Sequence, residues 1–196
     1  MNEIDIYLHS MQSMCPMIKN EHLVSFKKSL SIKTFRKGEI IFPMHEQHDS
    51  IIFVTKGLVR AFYINSKGEE KNAWFVKEYE FVSDYPSFLS NSKSNYTFQC
   101  IENTVGVVLP QKAIYKAYSE HSSIEKYGRL IAEEVVKMMQ FRIEELLFFS
   151  AKERYKMVLE NESDLVARIS LNHLSSYIGI ERQSLTRIRK EIISEK

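Results

Sequence analysis

The sequence predicts an α+β chain: an antiparallel β sandwich or barrel, then one long helix, then two short helices near the C-terminus. Three observations carry this. Between residues 31 and 110, β-favouring runs alternate with turn residues; over residues 124–138 an apolar stripe recurs at helical spacing; and two short apolar-periodic segments meet at Gly179. A chain of 196 residues can hold one generous domain or two small ones.

The elements follow in order. Ile4, Leu8 and Met11, then Leu23, Phe26 and Leu30, read as two short helices around Pro16. The runs KTFRKG, EIIFPM, SIIFVTKG, LVRAFYINSKGEE, KNAWFV, YTFQCIE and TVGVVLP follow, broken by Gly38, Gly57 and Gly68. Asn65-Ser66-Lys67-Gly68 reads as a hairpin loop, with Gly68 free to take positive φ. Ile124, Tyr127, Ile131, Val135 and Met138 then form one stripe of a helix spanning about residues 123–149. That length exceeds what covering a small core requires, and the heptad-like spacing suits pairing with a second copy of the helix; packing on the sandwich is the alternative.

Ser170 is placed to cap a helix with apolar Leu171, Leu174 and Ile178. Gly179 falls where the chain must turn sharply, and Leu185, Ile188 and Ile192 are spaced to pack a second helix on the first. Ser175 is small where two steeply crossing helices approach closely. Together these are the features of a helix-turn-helix. The second helix leaves Arg182, Gln183, Thr186, Arg187 and Lys190 off its apolar stripe. Arg can bond two acceptors on a guanine edge and Gln can do the same for adenine, while Lys and Arg also meet phosphates.

Composition narrows the class. Hydrophobic residues make up 44% and charged residues 27%, as in soluble globular proteins. No apolar stretch reaches membrane-span length, and the N-terminus lacks the layout of a signal peptide. Cys15 and Cys100 are the only cysteines and form no redox or metal pattern, so a cytoplasmic, reduced setting is expected. Net charge is only +2, yet between residues 165 and 190 Arg168, Arg182, Arg187, Arg189 and Lys190 face a single acid, Glu181.

Other groups read more plainly. His45 and His48 form a His-x-x-His pair with Glu46 and Asp49 nearby, but no third ligand is evident, so no metal site is expected. Trp74, Phe75, Phe81, Tyr85 and Phe88 fit sandwich packing, with an apolar effector pocket as the alternative. No catalytic constellation is present, and the chain is not expected to be an enzyme.

FRKGEIIF (35–42), SIIFVTKGLVRAFYI (50–64), FVSDYPSFL (81–89), AKERY (151–155) and LSSYIGIERQSLTRIRK (174–190) together resemble the Crp/Fnr family of bacterial regulators. The resemblance implies a cyclic-nucleotide-binding-like jelly roll over residues 1–120, a dimerisation helix over 121–149 and a winged-helix-like domain over 150–196. It implies a cytoplasmic homodimer reading a near-palindromic site in double-stranded DNA, with RNA polymerase as a further partner. By position, Arg182, Gln183, Ser184, Thr186, Arg187 and Lys190 would meet the DNA and Ser170 its backbone. A ligand-sensing or protein-interaction module whose tail no longer binds DNA is the competing reading.

Departures from the family pattern matter. Cyclic-nucleotide binders carry a Gly-Glu pair and, further along, an Arg followed by Ser or Thr. Here those positions hold Ser83-Asp84 and Ser94-Asn95, so the cation that offsets the phosphate is missing. The expected effector, at a pocket of Ser83, Asp84, Ser94 and Asn95, is therefore an unidentified small molecule and not a cyclic nucleotide. Two distant thiols cannot supply the four ligands of an iron–sulfur cluster. Glu181 stands where relatives carry Thr or Ser, and Gln183 where many carry Glu, which shifts the preferred base from cytosine towards adenine.

Overall fold

The computed structural model describes residues 1–194. Its elements are α1 (Glu3–Met14), α2 (Asn20–Lys27), β1 (Ser31–Phe35), β2 (Ile40–Phe42), β3 (Ser50–Lys56), β4 (Val59–Ile64), β5 (Glu70–Val76), β6 (Phe81–Val82), α3 (Tyr85–Ser90), β7 (Thr97–Cys100), β8 (Thr104–Pro110), α4 (Gln111–Glu120), α5 (Ser122–Phe148), α6 (Ala151–Asn161), α7 (Ser163–Arg168), α8 (Leu171–Ile178) and α9 (Arg182–Ser194). They form two compact units: residues 1–63 with 75–134, and residues 64–74 with 135 onward.

The strands make two four-stranded sheets, in the orders β1-β8-β3-β6 and β2-β7-β4-β5. The pairs β1–β8, β3–β8, β3–β6, β2–β7 and β4–β7 are all antiparallel, as the short alternating runs predict. In the first sheet Phe53 pairs with Val107 and Ile51 with Leu109, and these side chains are buried. Helix α1 covers them with Tyr7, Leu8 and Met11, its apolar face at helical spacing. The Tyr7 ring centroid lies 4.9 Å from that of Phe53 and 6.1 Å from that of Phe81. Each large side chain buried in this way contributes about 1.5–3 kcal/mol.

Turn chemistry closes the strands. In the β4–β5 loop the Asn65 side-chain oxygen accepts from the backbone of Lys67 at 2.9 Å and of Glu69 at 3.0 Å, and Gly68 takes a φ of 79°. At the β3–β4 turn Gly57 has a φ of 109°, and a Cβ there would stand 2.7 Å from the Asn103 carbonyl oxygen. Only glycine satisfies both limits.

The β2–β3 loop carries His45 and His48. The two diverge: His45 is exposed, while His48 is buried and stacks on Phe42 at 4.3 Å. Among the described residues no three His, Cys, Asp or Glu side chains converge to hold a metal. The buried His48 Nε2 has no hydrogen-bond partner among the described residues. Burial holds its pKa below 6.5, against the opposing pull of Asp84, Glu46 and Asp49.

Helix α5 matches the expected span, but its stripe divides. Ile124 and Tyr127 are buried in the core of the first unit, and Ile131 packs against that core. Val135 is half-buried, and of the stripe only Met138 is exposed. The apolar face left in water lies one residue along: Val136, Met139, Ile143 and Leu146, with Leu147 beside them. The sequence stripe is thus mostly the helix's inward side, continued by Arg142 and by the buried Glu145. Beyond β8 every described element is a helix, because residues 151–169 carry no β-alternating run and instead start from a Ser150–Glu153 capping box. No helix among the described residues is long and apolar enough to cross a membrane.

Two stability measurements follow. Gly57→Ala combines a disfavoured φ with a backbone clash and is expected to lower stability by more than about 2 kcal/mol in denaturant unfolding. A Gly57→Ala chain as stable as the parent would contradict the turn geometry. His48 is held neutral in the fold, so the unfolded chain binds more protons and stability declines as pH falls through 6.5 towards the lower folded pKa. Melting temperatures of His48→Phe should show a flatter slope than the parent between about pH 7 and 5.5.

Candidate nucleic-acid interface

Helix α8 begins at Ser170, whose hydroxyl accepts from the His173 backbone N–H at 3.2 Å, as its sequence position predicts. It ends at Gly179, in the left-handed region at a φ of 80°. A Cβ at Gly179 would meet only ordinary contacts, the nearest at 3.7 Å, so conformation and not space selects glycine there. Leu174, Ser175 and Ile178 of α8 are buried, as are Leu185 and Ile188 of α9. The small Ser175 and the apolar positions fall where the spacing places them.

On α9, Arg182, Gln183, Thr186, Arg187 and Lys190 are all exposed, together with Arg189. Ser184 is half-buried, which turns one of the expected contact residues away from that surface. The Thr186 hydroxyl donates back to the Arg182 carbonyl at 3.1 Å. Arg187 lies 3.8 Å from Glu191, an exposed pair one turn apart that restrains its side chain only weakly. The surface therefore offers guanidinium, ammonium and amide groups in one row, the set that reads base edges and meets phosphates.

Sequence reading did not find what holds this pair of helices. Arg142 of α5 donates to the Tyr177 carbonyl, stacks over the Tyr177 ring at 4.3 Å and bonds the buried Glu145 at 3.1 Å. Arg154 of α6 donates to the Ile178 carbonyl at 2.9 Å and to the Phe149 carbonyl at 2.6 Å. Burial, with Glu162 adding to it, pushes the Tyr177 hydroxyl pKa well up, so it serves as a donor and meets Glu162 at 3.4 Å. A charged residue in mid-helix carries no sequence mark for such a task.

The four expected effector-pocket residues separate in the first unit. Asp84 is buried, and its Oδ2 accepts from both Ser87 and Ser94 at 2.8 Å. Ser94 also accepts from the Tyr96 N–H at 3.0 Å. Ser83 is half-buried and Asn95 is exposed. Asp84 and Ser94 are thus brought together, with Ser87 as the partner that the sequence reading missed; its place one helical turn after Asp84 was the available signal. A buried cation, Arg60, sits on β4, where Gln99 accepts from it at 2.9 and 2.6 Å and the Phe62 ring lies 4.0 Å beneath it.

Comparison with known proteins agrees with this layout. Residues 32–121 match the family model of the cyclic nucleotide-binding domain. FixK2 from Bradyrhizobium japonicum superposes with a TM-score of 0.73 at 14% identity, over 85% of each chain. The c-di-GMP-responsive global regulator CLP of Xanthomonas campestris gives a TM-score of 0.70 at 13% identity, over 90% of this chain and 93% of its own. The neuropathy target esterase sws of Drosophila grimshawi is 24% identical over 153 residues, which is 75% of this chain and 9% of that protein's length. The chain thus spans about a tenth of the curated relatives it matches. Residues 32–121 are thus similar to the cyclic nucleotide-binding domain, and the fold of the chain is similar to those of FixK2 and CLP.

Proposed function

We propose that the chain is a cytoplasmic transcription regulator that binds double-stranded DNA as a homodimer, with α8 and α9 as its helix-turn-helix. The observation that carries this reading is the exposed row Arg182, Gln183, Thr186, Arg187 and Lys190 on a helix entered through the left-handed Gly179. In this arrangement α9 lies in the major groove and the Ser170 end of α8 meets the backbone. Glu181 stands just before α9 and opposes phosphate approach, while Gln183 favours adenine.

The homodimer is supported by α5. Val136, Met139, Ile143 and Leu146 recur at steps of three and four and are exposed in the single chain. That spacing is the seam of a two-stranded coiled coil. A second copy is the fitting occupant because a paired seam presents two α9 helices to a two-fold symmetric site. The reading assigns no cyclic nucleotide to the first unit: the buried charge of residues 83–95 is the carboxylate of Asp84, and a phosphate there needs a cation.

Selection from random duplexes is expected to enrich a two-fold symmetric site. Arg187→Ala should weaken binding to it by about 1–3 kcal/mol and relax one position, whereas Lys190→Ala should weaken all sequences alike and reduce the salt slope by about one. Binding to no duplex with the parent protein would favour the reading in which the tail does not engage DNA. Ile143→Asp with Leu147→Asp leaves the folded monomer intact, since both side chains are exposed, and is expected to give monomers in sedimentation. A dimer that persists would move the interface elsewhere.

A further inference from the structure

Asn72 is a poor strand former in mid-β5, yet it is among the most buried polar residues of the chain, at 5% exposure. Strand β5 ends the order β2-β7-β4-β5, so one side of its backbone has no strand neighbour. An edge of this kind is normally covered or blunted. Here the Asn72 backbone N–H donates to the Ser176 hydroxyl at 2.8 Å. The side-chain amide donates to the His173 carbonyl at 3.2 Å and lies 3.3 Å from the His173 Nδ1. All of these partners are on α8.

The next residue reinforces the placement. Lys71 stands 3.8 Å from Glu181, the residue that leads into α9, and 3.1 Å from Glu69. Glu181 is largely exposed, so this ion pair is weak, and the Asn72 hydrogen bonds carry the contact. The helices beyond residue 150 have no strand of their own among the described residues.

We infer that the β4–β5 hairpin is a docking arm that holds α8 through the open edge of β5, so that Asn72 sets the placing of α8 and, through it, of α9. Asn72 and Ser176 are the positioning residues. In its functional half, this rests on the DNA-binding reading above. The arm adds no net exposed charge, because Lys67 and Lys71 are balanced by Glu69 and Glu70 and Arg60 is buried against Gln99. Its effect on DNA is therefore one of geometry, uniform across sequences and independent of salt.

The test uses the full chain carrying Asn72→Ala, Ser176→Ala or both. Hydrogen exchange is expected to show lowered protection of the α8 and α9 amides, with the β1-β8-β3-β6 sheet unchanged. Each single variant should bind the selected duplex about tenfold more weakly, with unaltered base preference and salt slope. Asn72→Ala removes the side-chain bonds to His173 and Ser176→Ala removes the acceptor of the Asn72 N–H, so the double variant should bind more weakly than either single one. Unchanged α8 protection in the variants overturns the docking arm whether or not the protein binds DNA. Lowered protection with full DNA affinity overturns its role in placing α9. If the parent binds no duplex, the DNA reading fails, while exchange still decides the arm. Ser176→Ala alters only a half-buried hydroxyl and keeps the test open should Asn72→Ala not fold.

Discussion

The exposed polar row of α9 depends on how α8 stops. A helix leaves its last four carbonyls without intrahelical partners. Here all four are met. The Ser175 carbonyl takes the Ile180 N–H at 3.0 Å and the Ser176 carbonyl takes the Gly179 N–H at 3.1 Å. The Tyr177 and Ile178 carbonyls take the guanidinium groups of Arg142 and Arg154. Two of these bonds require the left-handed glycine, and two bring positive charge to the negative end of the helix dipole. The turn into α9 is therefore closed from both sides, and the row from Arg182 to Lys190 stands on a fixed base.

A different polar device organises the segment between β6 and β7. Ser87 and Ser94 both bind the Asp84 carboxylate, which ties α3 to the start of the next strand. A buried acid is tolerable when hydroxyl donors satisfy it. Those same bonds occupy the oxygen that a ligand hydroxyl would otherwise seek. Nearby in the same unit His48 lacks a partner for its Nε2 and stays neutral, so the segment combines one satisfied polar group with one that is not.

Periodicity made most of the fold legible. The seven runs between residues 31 and 110 became every described strand but the two-residue β6, and the Ser170, Gly179 and Gly68 positions take the geometry their residue types favour. The exposed side of α9 was also legible, because Leu185 and Ile188 mark its opposite face. What spacing alone left open was whether the α5 stripe packs on the chain's own sandwich or pairs with a second copy. An apolar period records that a face is buried but not against what, and Ile124 and Tyr127 were already needed by the chain's own core. For residues 150–196 the resemblance implied a winged-helix-like domain, and the described part is helical from the capping pair Ser150 and Glu153 onward. Asn72, Arg142 and Arg154 left no mark at all, since their partners are backbone groups distant in sequence.

The chain passes between its two units at three places: the two strands of the β4–β5 hairpin and the middle of α5. None is a loose loop. Strand β5 is bonded along its open edge to α8, and α5 is one continuous helix whose apolar first half is committed to the core of the first unit. The stripe from Val136 to Leu146 and the Arg142 contact with α8 share the second half of α5. A change that rotates this half about its axis therefore acts on the proposed dimer seam and on the end of α8 together, so dimer geometry and the placing of α9 cannot be varied independently through α5.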